Sequence, residues 1–225
     1  MKLLFLGTGA ADWPVDVSGS EEFRRNASAL VDAKILIDPG PGVLDAVRCF
    51  GVDKSQIKYI INTHRHGDHF CKNTLEQLVA AGAEFIEMKA DDEFTLDGYT
   101  VRALRAHHGT CAEAVHFLIS DGKSRLFYGL DGAWLMYDEV QAIKNAHVDL
   151  AVLDATVGNS HGDCRVFEHN NLRMVIEMKA SLEAHIGRFV ISHMARTLHD
   201  DHKTLSEQMN AHGIETAYDG LTVEF

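Results

Sequence analysis

The apolar residues of this chain fall in two patterns, short compact runs and longer stretches with a helical spacing. The short runs are rich in β-branched and aromatic residues and are bounded by turn-forming residues, which predicts strands. The predicted strands are Lys2–Leu6, one or two strands within Ala29–Ile37, Ile57–Ile61, then, in a mostly extended region from Phe85 to Tyr128, Tyr99–Leu104, Val115–Ile119 and Arg125–Tyr128, and later Asp149–Leu153, Phe189–Ile191 and Thr222–Phe225.

Apolar residues spaced three and four positions apart predict helices. These helices are Val43–Phe50, Lys72–Ala81 with a buried face of Leu75, Leu78 and Val79, about Trp134 to Asn145, Asn171–His185 and His202–His212. Strands first follow strands and later alternate with helices, which indicates an α/β fold of two mixed sheets packed face to face and covered by helices. No low-complexity linker interrupts the pattern, so the sequence predicts one domain over residues 1–225.

Charge and cysteine content narrow the class of protein. The chain has 21 basic and 33 acidic residues, a net charge of −12, which disfavours extended nucleic acid as a partner because such partners need a basic surface. A small anion stays possible, since bound metal ions dominate the field inside a pocket. No apolar run reaches the ~20 residues of a membrane span. The four cysteines are scattered without a CxxC pair, which favours free thiols and a cytoplasmic location.

Histidine is the residue type that points to chemistry. The chain has 14 histidines, and His64, His66, Asp68 and His69 place four metal-ligand types in one short loop directly after a predicted strand. Imidazole and carboxylate ligands together suit zinc, with manganese or iron as alternatives. Gly67 is predicted to permit a sharp reversal that brings Asp68 and His69 towards the same point. The structural alternative is a polar surface loop that happens to be rich in histidine.

Further residues of ligand type follow other predicted strands. His107 and His108 come after Val101–Leu104, Asp131 follows Arg125–Leu130, and His193 follows Phe189–Ser192. Loops after strand ends carry function on a rigid scaffold. Each residue alone would more often be structural, but together with the histidine loop they predict a metal centre. Either His107 or His108 could be the ligand.

Several segments together resemble the signature of the metallo-β-lactamase superfamily. They are Phe5–Gly9, Ile37–Gly40, the histidine loop Thr63–His69, His108, Tyr128–Asp131 and Ser192–His193. The resemblance covers almost the whole chain and implies a four-layer αββα sandwich and a metal-dependent hydrolase with two divalent ions. The implied ligands are His64, His66 and His108 for one ion, Asp68, His69 and His193 for the other, and Asp131 as the bridge.

The implied chemistry is hydrolysis by a hydroxide that bridges the two metals, with Asp68 or Asp131 accepting or orienting its proton. Asp38 precedes a Pro-Gly turn. It either holds the second nitrogen of a ligand histidine or serves as a plain turn former. Both interpretations are open at the level of the sequence.

The last third of the chain resembles the phosphoribosyl cyclic phosphodiesterase branch of the superfamily. The matching segments are Leu153–Gly158, His169-Asn170, Ile191–Met194, His202 and Ala217–Leu221. The resemblance implies that the substrate is a small, anionic, cyclic phosphodiester. The chain departs from close relatives in two ways, since no cysteine precedes Cys49 and Arg196 stands where a second histidine is common.

A phosphodiester needs a proton for its leaving oxygen, and an unligated histidine could supply it. His202 and His169 are the candidates, although His202 could instead cap a helix and His169 could begin one. Arg196 either pairs with a phosphate oxygen or is a solvated surface arginine. Arg24 and Arg25 lie where the family has an Arg-x-x-Ser pattern, and the resemblance implies that they could also meet the anion. The alternative functions are a lactonase, a thioester hydrolase, a tRNA 3′-end endonuclease or a non-catalytic metal-binding protein, and a homodimer is possible.

Overall fold

The computed structural model describes residues 1–14 and 22–225. Its contacts divide the chain into two compact units, Met1–Met88 with Ala217–Glu224, and Lys89–Thr216 with Phe225. Each unit contains one mixed β-sheet and the helices that pack on it. The single domain over residues 1–225 stays a prediction.

The first unit is a six-stranded sheet with the order β13-β1-β2-β3-β4-β5. Its elements are β1 (Lys2–Gly7), β2 (Ser28–Val31), β3 (Ile35–Ile37), α1 (Val43–Cys49), β4 (Tyr59–Ile61), α2 (Lys72–Ala80), β5 (Glu84–Ile86) and β13 (Thr222–Glu224). The strands from β13 to β3 pair antiparallel, whereas β3, β4 and β5 run parallel. The buried side of α1, with Val43, Ala46 and Val47, joins Leu6, Leu36 and Ile60 in one apolar core.

The second unit is a seven-stranded sheet with the order β12-β11-β10-β9-β8-β7-β6. Its elements are β6 (Glu93–Leu96), β7 (Tyr99–Arg105), β8 (Val115–Ser120), β9 (Arg125–Gly129), α3 (Tyr137–Ala146), β10 (Val148–Asp154), α4 (Leu172–Leu182), β11 (Ile186–Ser192), α5 (His202–Asn210) and β12 (Ile214–Thr216). The strands from β6 to β9 pair antiparallel, and those from β9 to β12 run parallel. Helices α3, α4 and α5 are the crossovers between successive parallel strands, and their apolar faces enter the core.

The parallel strands bring chemically active residues to one edge of each sheet, because the carboxyl ends of parallel strands lie together. In the first unit Ile37 pairs with Ile61, so Asp38 and the segment that begins at Asn62 leave the sheet side by side. In the second unit the register places Gly129 beside Leu153 and Asp154 beside Ser192.

The predicted strands and helices are all present, with shifted boundaries and two local errors. The third helix begins at Tyr137 instead of near Trp134, because Trp134 has a left-handed backbone with φ of 57°. In α2 the buried residues are Thr74 and Leu78, while Val79 is 46% exposed, so the predicted face is wrong by part of a turn. The short strands β5, β6 and β12 were not individually predicted. Within the described ranges, no helix has the length and apolar character needed to cross a bilayer.

Candidate metal centre

The histidine loop of the first unit follows β4 directly and turns its ligand-type atoms towards one another. Nε2 of His64 lies 2.9 Å from Nδ1 of His66, and Nε2 of His69 lies 3.3 Å from Oδ2 of Asp68. His64 and His69 are buried, and His66 and Asp68 are half-buried. The structure therefore brings together all four loop residues that the sequence singled out.

Asp38 orients two of these histidine rings through their Nδ1 atoms. Its Oδ2 lies 2.8 Å from Nδ1 of His69, and both side chains are fully buried. The Thr63 hydroxyl lies 2.9 Å from either Asp38 oxygen and 3.0 Å from Nδ1 of His64. The hydroxyl can donate to the carboxylate and accept from the ring, so Asp38 orients His69 directly and His64 through Thr63. The contact with His69 bears out the histidine-holding interpretation of Asp38.

The turn that carries Asp38 is pressed against the histidine loop. A Cβ atom on Gly40 would lie 2.4 Å from the carbonyl oxygen of Asp68, and the backbone N–H of Cys71 donates to the Pro39 carbonyl at 2.9 Å. Gly67, by contrast, has no atom within 4 Å of a built Cβ and no positive φ. The predicted reversal is present at Gly67, but its backbone does not require a glycine, and close approach makes Gly40 the constrained glycine.

In the second unit, Asp131 follows the end of β9 and His193 follows the end of β11, with β10 between these two strands. Oδ2 of Asp131 lies 3.1 Å from Nε2 of His193, and both side chains are almost fully buried. Nδ1 of His193 lies 2.6 Å from the Thr156 hydroxyl. Both residues have positive φ, 58° for Asp131 and 61° for His193, a backbone conformation that few non-glycine residues adopt.

Asp154, the last residue of β10, is the principal site residue that the sequence analysis missed. It is fully buried and accepts from the Thr156 hydroxyl at 3.0 Å. It also lies 3.0 Å from Nδ1 of His169 and accepts from the backbone N–H of Asn170 and of Asp131. The available signal was an aspartate that ends an apolar strand two residues before a threonine.

Opposing effects act on the ionisable groups of this cluster. Burial acts to raise the pKa of Asp154, but His169 and His193 hold it well below the usual range of a carboxyl. Burial acts to lower the pKa of His169, and the carboxylate of Asp154 raises it above the ordinary value for histidine. Asp154 therefore stays ionised and serves as a permanent hydrogen-bond acceptor for the rings around it.

His169 and His108 complete the group in the second unit. Nδ1 of His169 lies 3.6 Å from Oδ1 of Asp131, and its ring stacks on His193 with centroids 5.6 Å apart. The ring of His108 is 5.1 Å from that of His169 and is buried, with Nδ1 3.3 Å from the Glu168 carbonyl. His107 is exposed, and its Nδ1 donates to the Ala133 carbonyl at 2.8 Å. These positions favour His108 over His107 as the ligand.

Two other predicted site residues, His202 and Arg196, are not among the residues described above. His202 begins α5 with Nε2 3.4 Å from the Ser206 hydroxyl, and among the described residues it belongs to none of the clusters of ligand-type atoms. Arg196 is exposed.

Arg24 and Arg25 are engaged within the first unit. The guanidinium of Arg24 donates to the Thr8 hydroxyl and the Ala217 carbonyl, and that of Arg25 pairs with Asp45 at 2.6 Å. Both guanidinium groups therefore contact other residues of the first unit, and a role of either arginine in anion binding stays a prediction.

The donor set fits divalent transition metals. In each unit one buried aspartate orients one histidine directly and a second histidine through a threonine hydroxyl. The pairs are His69 and His64 for Asp38, and His169 and His193 for Asp154. For His64, His69 and His193 one ring nitrogen is held in this way, and the other faces a second predicted ligand. Metal-binding histidines are typically oriented by such an outer partner.

Comparison with known proteins identifies the fold. Residues 23–133 match the family model described as the metallo-beta-lactamase superfamily, and a search of curated proteins gave no match.

Similar solved structures include a diphosphatase of the PhnP family, 21% identical with a TM-score of 0.76 over 100% of this chain and 97% of that one. YhfI from Bacillus subtilis, a metallo-beta-lactamase fold protein, is 16% identical with a TM-score of 0.79 over 100% and 99% of the two chains. The short form of human tRNase Z is 17% identical with a TM-score of 0.72, again over 100% and 99%. The predicted fold class is confirmed.

Proposed function

We propose that this chain, of which residues 23–133 match the metallo-beta-lactamase superfamily model, is a dinuclear metal-dependent hydrolase acting as a phosphodiesterase on a small, anionic, cyclic phosphodiester. The proposed ligands are those that the resemblance implies: His64, His66 and His108 for one ion, Asp68, His69 and His193 for the other, and Asp131 for both. Zinc is the proposed metal, with manganese or iron as alternatives.

One observation carries the metal-dependent part of the proposal. Asp38 and Asp154, each fully buried at the end of a parallel strand, orient histidines through a direct bond and through a threonine. Burying a carboxylate is costly unless it is paired, and a network of this form gains nothing in apolar packing. Its consequence is a fixed direction for each ring, which is what metal ligands require.

Bound divalent ions would lower the pKa of a coordinated water and polarise the oxygen of the electrophile. The chain's own residues would then accept and deliver protons. Asp68 is half-buried beside His69, so its carboxylate can orient or accept the proton of the attacking water. All seven ligand positions that the resemblance implies carry a residue that can bind metal. A non-catalytic protein on the same scaffold is expected to lack one of them.

His169 is the better supported of the two proton-donor candidates. Asp154 holds its Nδ1 at 3.0 Å, so Nε2 is the atom that can deliver a proton to a leaving oxygen. Nε2 of His202 lies 3.4 Å from the Ser206 hydroxyl of its own helix. Its place in substrate binding, like that of Arg196, stays a prediction.

The phosphodiester substrate rests on three supports. The terminal series of the chain resembles the cyclic phosphodiesterase branch, a similar structure is named a diphosphatase and another a tRNase, and the Asp154–His169 pair suits protonation of an alkoxide. The net charge of −12 favours a small anion over tRNA.

A substrate panel tests this function. Purified protein loaded with zinc or manganese is assayed on bis-p-nitrophenyl phosphate, 2′,3′-cyclic nucleotides, a lactone, S-lactoylglutathione and a tRNA precursor. We expect turnover of the phosphodiesters and none of the lactone or thioester. Activity confined to the lactone or the thioester would reject the phosphodiesterase, and cleavage confined to tRNA would replace it with the endonuclease.

Metal content tests the dinuclear centre itself. We expect about two equivalents of transition metal per chain, and a loss of turnover of at least about 100-fold in Asp131→Ala because the variant lacks the shared ligand. Asp121→Asn, a half-buried residue in the turn between β8 and β9, is the control and should retain both metal and activity, since an amide oxygen can still accept from the backbone N–H groups of Lys123 and Ser124. A metal-free protein with full activity, or an active Asp131→Ala, would contradict the proposal.

A further inference from the structure

A buried histidine–glutamate pair lies beneath the turn that carries Asp131 and has no part in the mechanism above. We propose that His116 and Glu139 are positioning residues that hold the Gly129–Gly132 turn so that Asp131 is presented as a metal ligand. The proposal rests on the proposed function, because it assigns Asp131 the role described there.

The pair ties β8 to the start of α3. Nδ1 of His116 lies 2.5 Å from Oε1 of Glu139, and both side chains are 1% exposed. The other carboxylate oxygen, Oε2, accepts from the backbone N–H of Met136 at 2.7 Å, which closes the first turn of α3. The glutamate is thus fixed at both oxygens, and it fixes the imidazole in turn.

The imidazole ring forms the surface against which the turn lies. A Cβ atom on Gly132 would be 2.8 Å from Cε1 and 2.9 Å from Nε2 of His116, and one on Gly129 would be 3.4 Å from Nδ1. Asp131 lies between these glycines with φ of 58°. A residue in this conformation is held by its surroundings, and the His116 ring is the nearest part of those surroundings on the Gly132 side.

An apolar side chain would fill the same space at lower cost, so packing alone does not account for the pair. Buried ion pairs and polar pairs commonly stabilise less than apolar residues of the same volume. In addition, Nε2 of His116 is buried and has no hydrogen-bond partner among the described residues. Burial acts to lower the pKa of His116, but the carboxylates of Glu139, Asp154 and Asp131 raise it overall. The ring therefore also lies within the electrostatic influence of Asp154 and Asp131.

Metal titration of conservative variants tests the positioning role without relying on turnover. The variants are Glu139→Gln, which keeps the shape of the acid, His116→Phe, which keeps the ring, and His116→Asn, which keeps a donor near the position of Nδ1. Because Asp131 is the proposed ligand of both ions, we expect Glu139→Gln and His116→Phe to weaken metal binding by about 10- to 100-fold and to shift the visible spectrum of the cobalt-substituted protein. His116→Asn should fall between these variants and the wild type.

The matched control is Ile143→Ala, a core truncation in the same helix. It should lower the midpoint of denaturant unfolding at least as much as the other variants while leaving metal affinity and the cobalt spectrum unchanged. If Ile143→Ala loses affinity in proportion to its stability, or if Glu139→Gln and His116→Phe bind metal like the wild type, the pair is structural and the proposal is overturned.

A metal-free experiment tests the contact between ring and turn independently. Unfolding of His116→Ala, Gly132→Ala and the double variant is measured in chelated protein, and we expect the double variant to be less destabilised than the sum of the two, since the missing ring makes room for the new methyl group. Additive effects would overturn the proposal. Failure of the proposed function has a different signature, because wild-type protein would then bind no pair of transition metals.

Discussion

At the residue scale, three residues of the proposed site are held in a backbone conformation that non-glycine residues rarely adopt. Asp38, Asp131 and His193 all have φ near 60°, and such strain persists only where surrounding contacts determine it. The Asp38 carboxylate accepts hydrogen bonds from the side-chain amide of Asn62 and from the backbone N–H and hydroxyl of Thr63, and its Oδ2 lies 2.8 Å from Nδ1 of His69. The strain therefore marks the three strand ends from which the proposed chemistry is presented.

The Asp154–His169 pair leads to a prediction about leaving groups. His169→Ala should lower turnover of a 2′,3′-cyclic nucleotide by about 100-fold or more, because protonation of a poor leaving oxygen contributes that much. Turnover of bis-p-nitrophenyl phosphate should fall far less, since p-nitrophenolate leaves without a proton. The measurement is the ratio of the two kcat/KM values, with His202→Ala as the comparison.

An equal loss on both substrates would show that His169 binds substrate or metal instead of donating a proton. If His202→Ala showed the selective loss, the proton donor would be His202. Both substrates are needed, because a single rate cannot separate these roles.

At the element scale, the loops after parallel strands matter more than the strands themselves. The turn after β3 and the histidine loop after β4 touch through Gly40, where a Cβ would lie 2.4 Å from the Asp68 carbonyl. The sequence pointed to this turn through its Pro-Gly pairs, but it could not show which glycine is constrained. That depends on a contact between residues far apart in the chain.

Two glycine substitutions separate contact from chain flexibility. Gly40→Ala should destabilise the protein by about 1–3 kcal/mol through overpacking and weaken metal binding, because the Asp68 backbone must move. Gly67→Ala, which meets no atom within 4 Å, should change stability by no more than about 0.5 kcal/mol. Denaturant unfolding and metal titration of both variants provide the measurement, and a more harmful Gly67→Ala would contradict this account.

At the scale of the whole molecule, the fold and the histidine loop were predictable from local patterns, whereas the supporting residues were not. Strand runs, helical spacing and the ligand-type residues of Thr63–His69 all lie within short windows of sequence. Asp154, Thr156, His116 and Glu139 acquire their positions from strands and helices that meet only after folding. The predicted start of α3 was wrong for a related reason, because no local sequence pattern indicates the left-handed backbone of Trp134.

The excess of acidic over basic residues is also a property of the whole molecule. A net charge of −12 repels anions at long range, so an anionic substrate requires cations at the site itself. The proposed metals would therefore serve substrate capture as well as chemistry. This is consistent with a small diester and disfavours a long polyanion that would also meet the outer surface.

The origin of the two ligand groups in the chain has a consequence for the order in which the protein matures. The histidine loop supplies His64, His66, Asp68 and His69 from one short segment, so this group needs little of the sheet to assemble. The proposed ligands Asp131 and His193 instead follow β9 and β11, and Asp154, which orients histidines, ends β10 between them; these three parallel strands are joined by helical crossovers. Such long-range pairing forms slowly, which makes the second group the late step. Metal loading of a newly synthesised chain would then begin at the histidine loop and be completed only when β9, β10 and β11 are aligned.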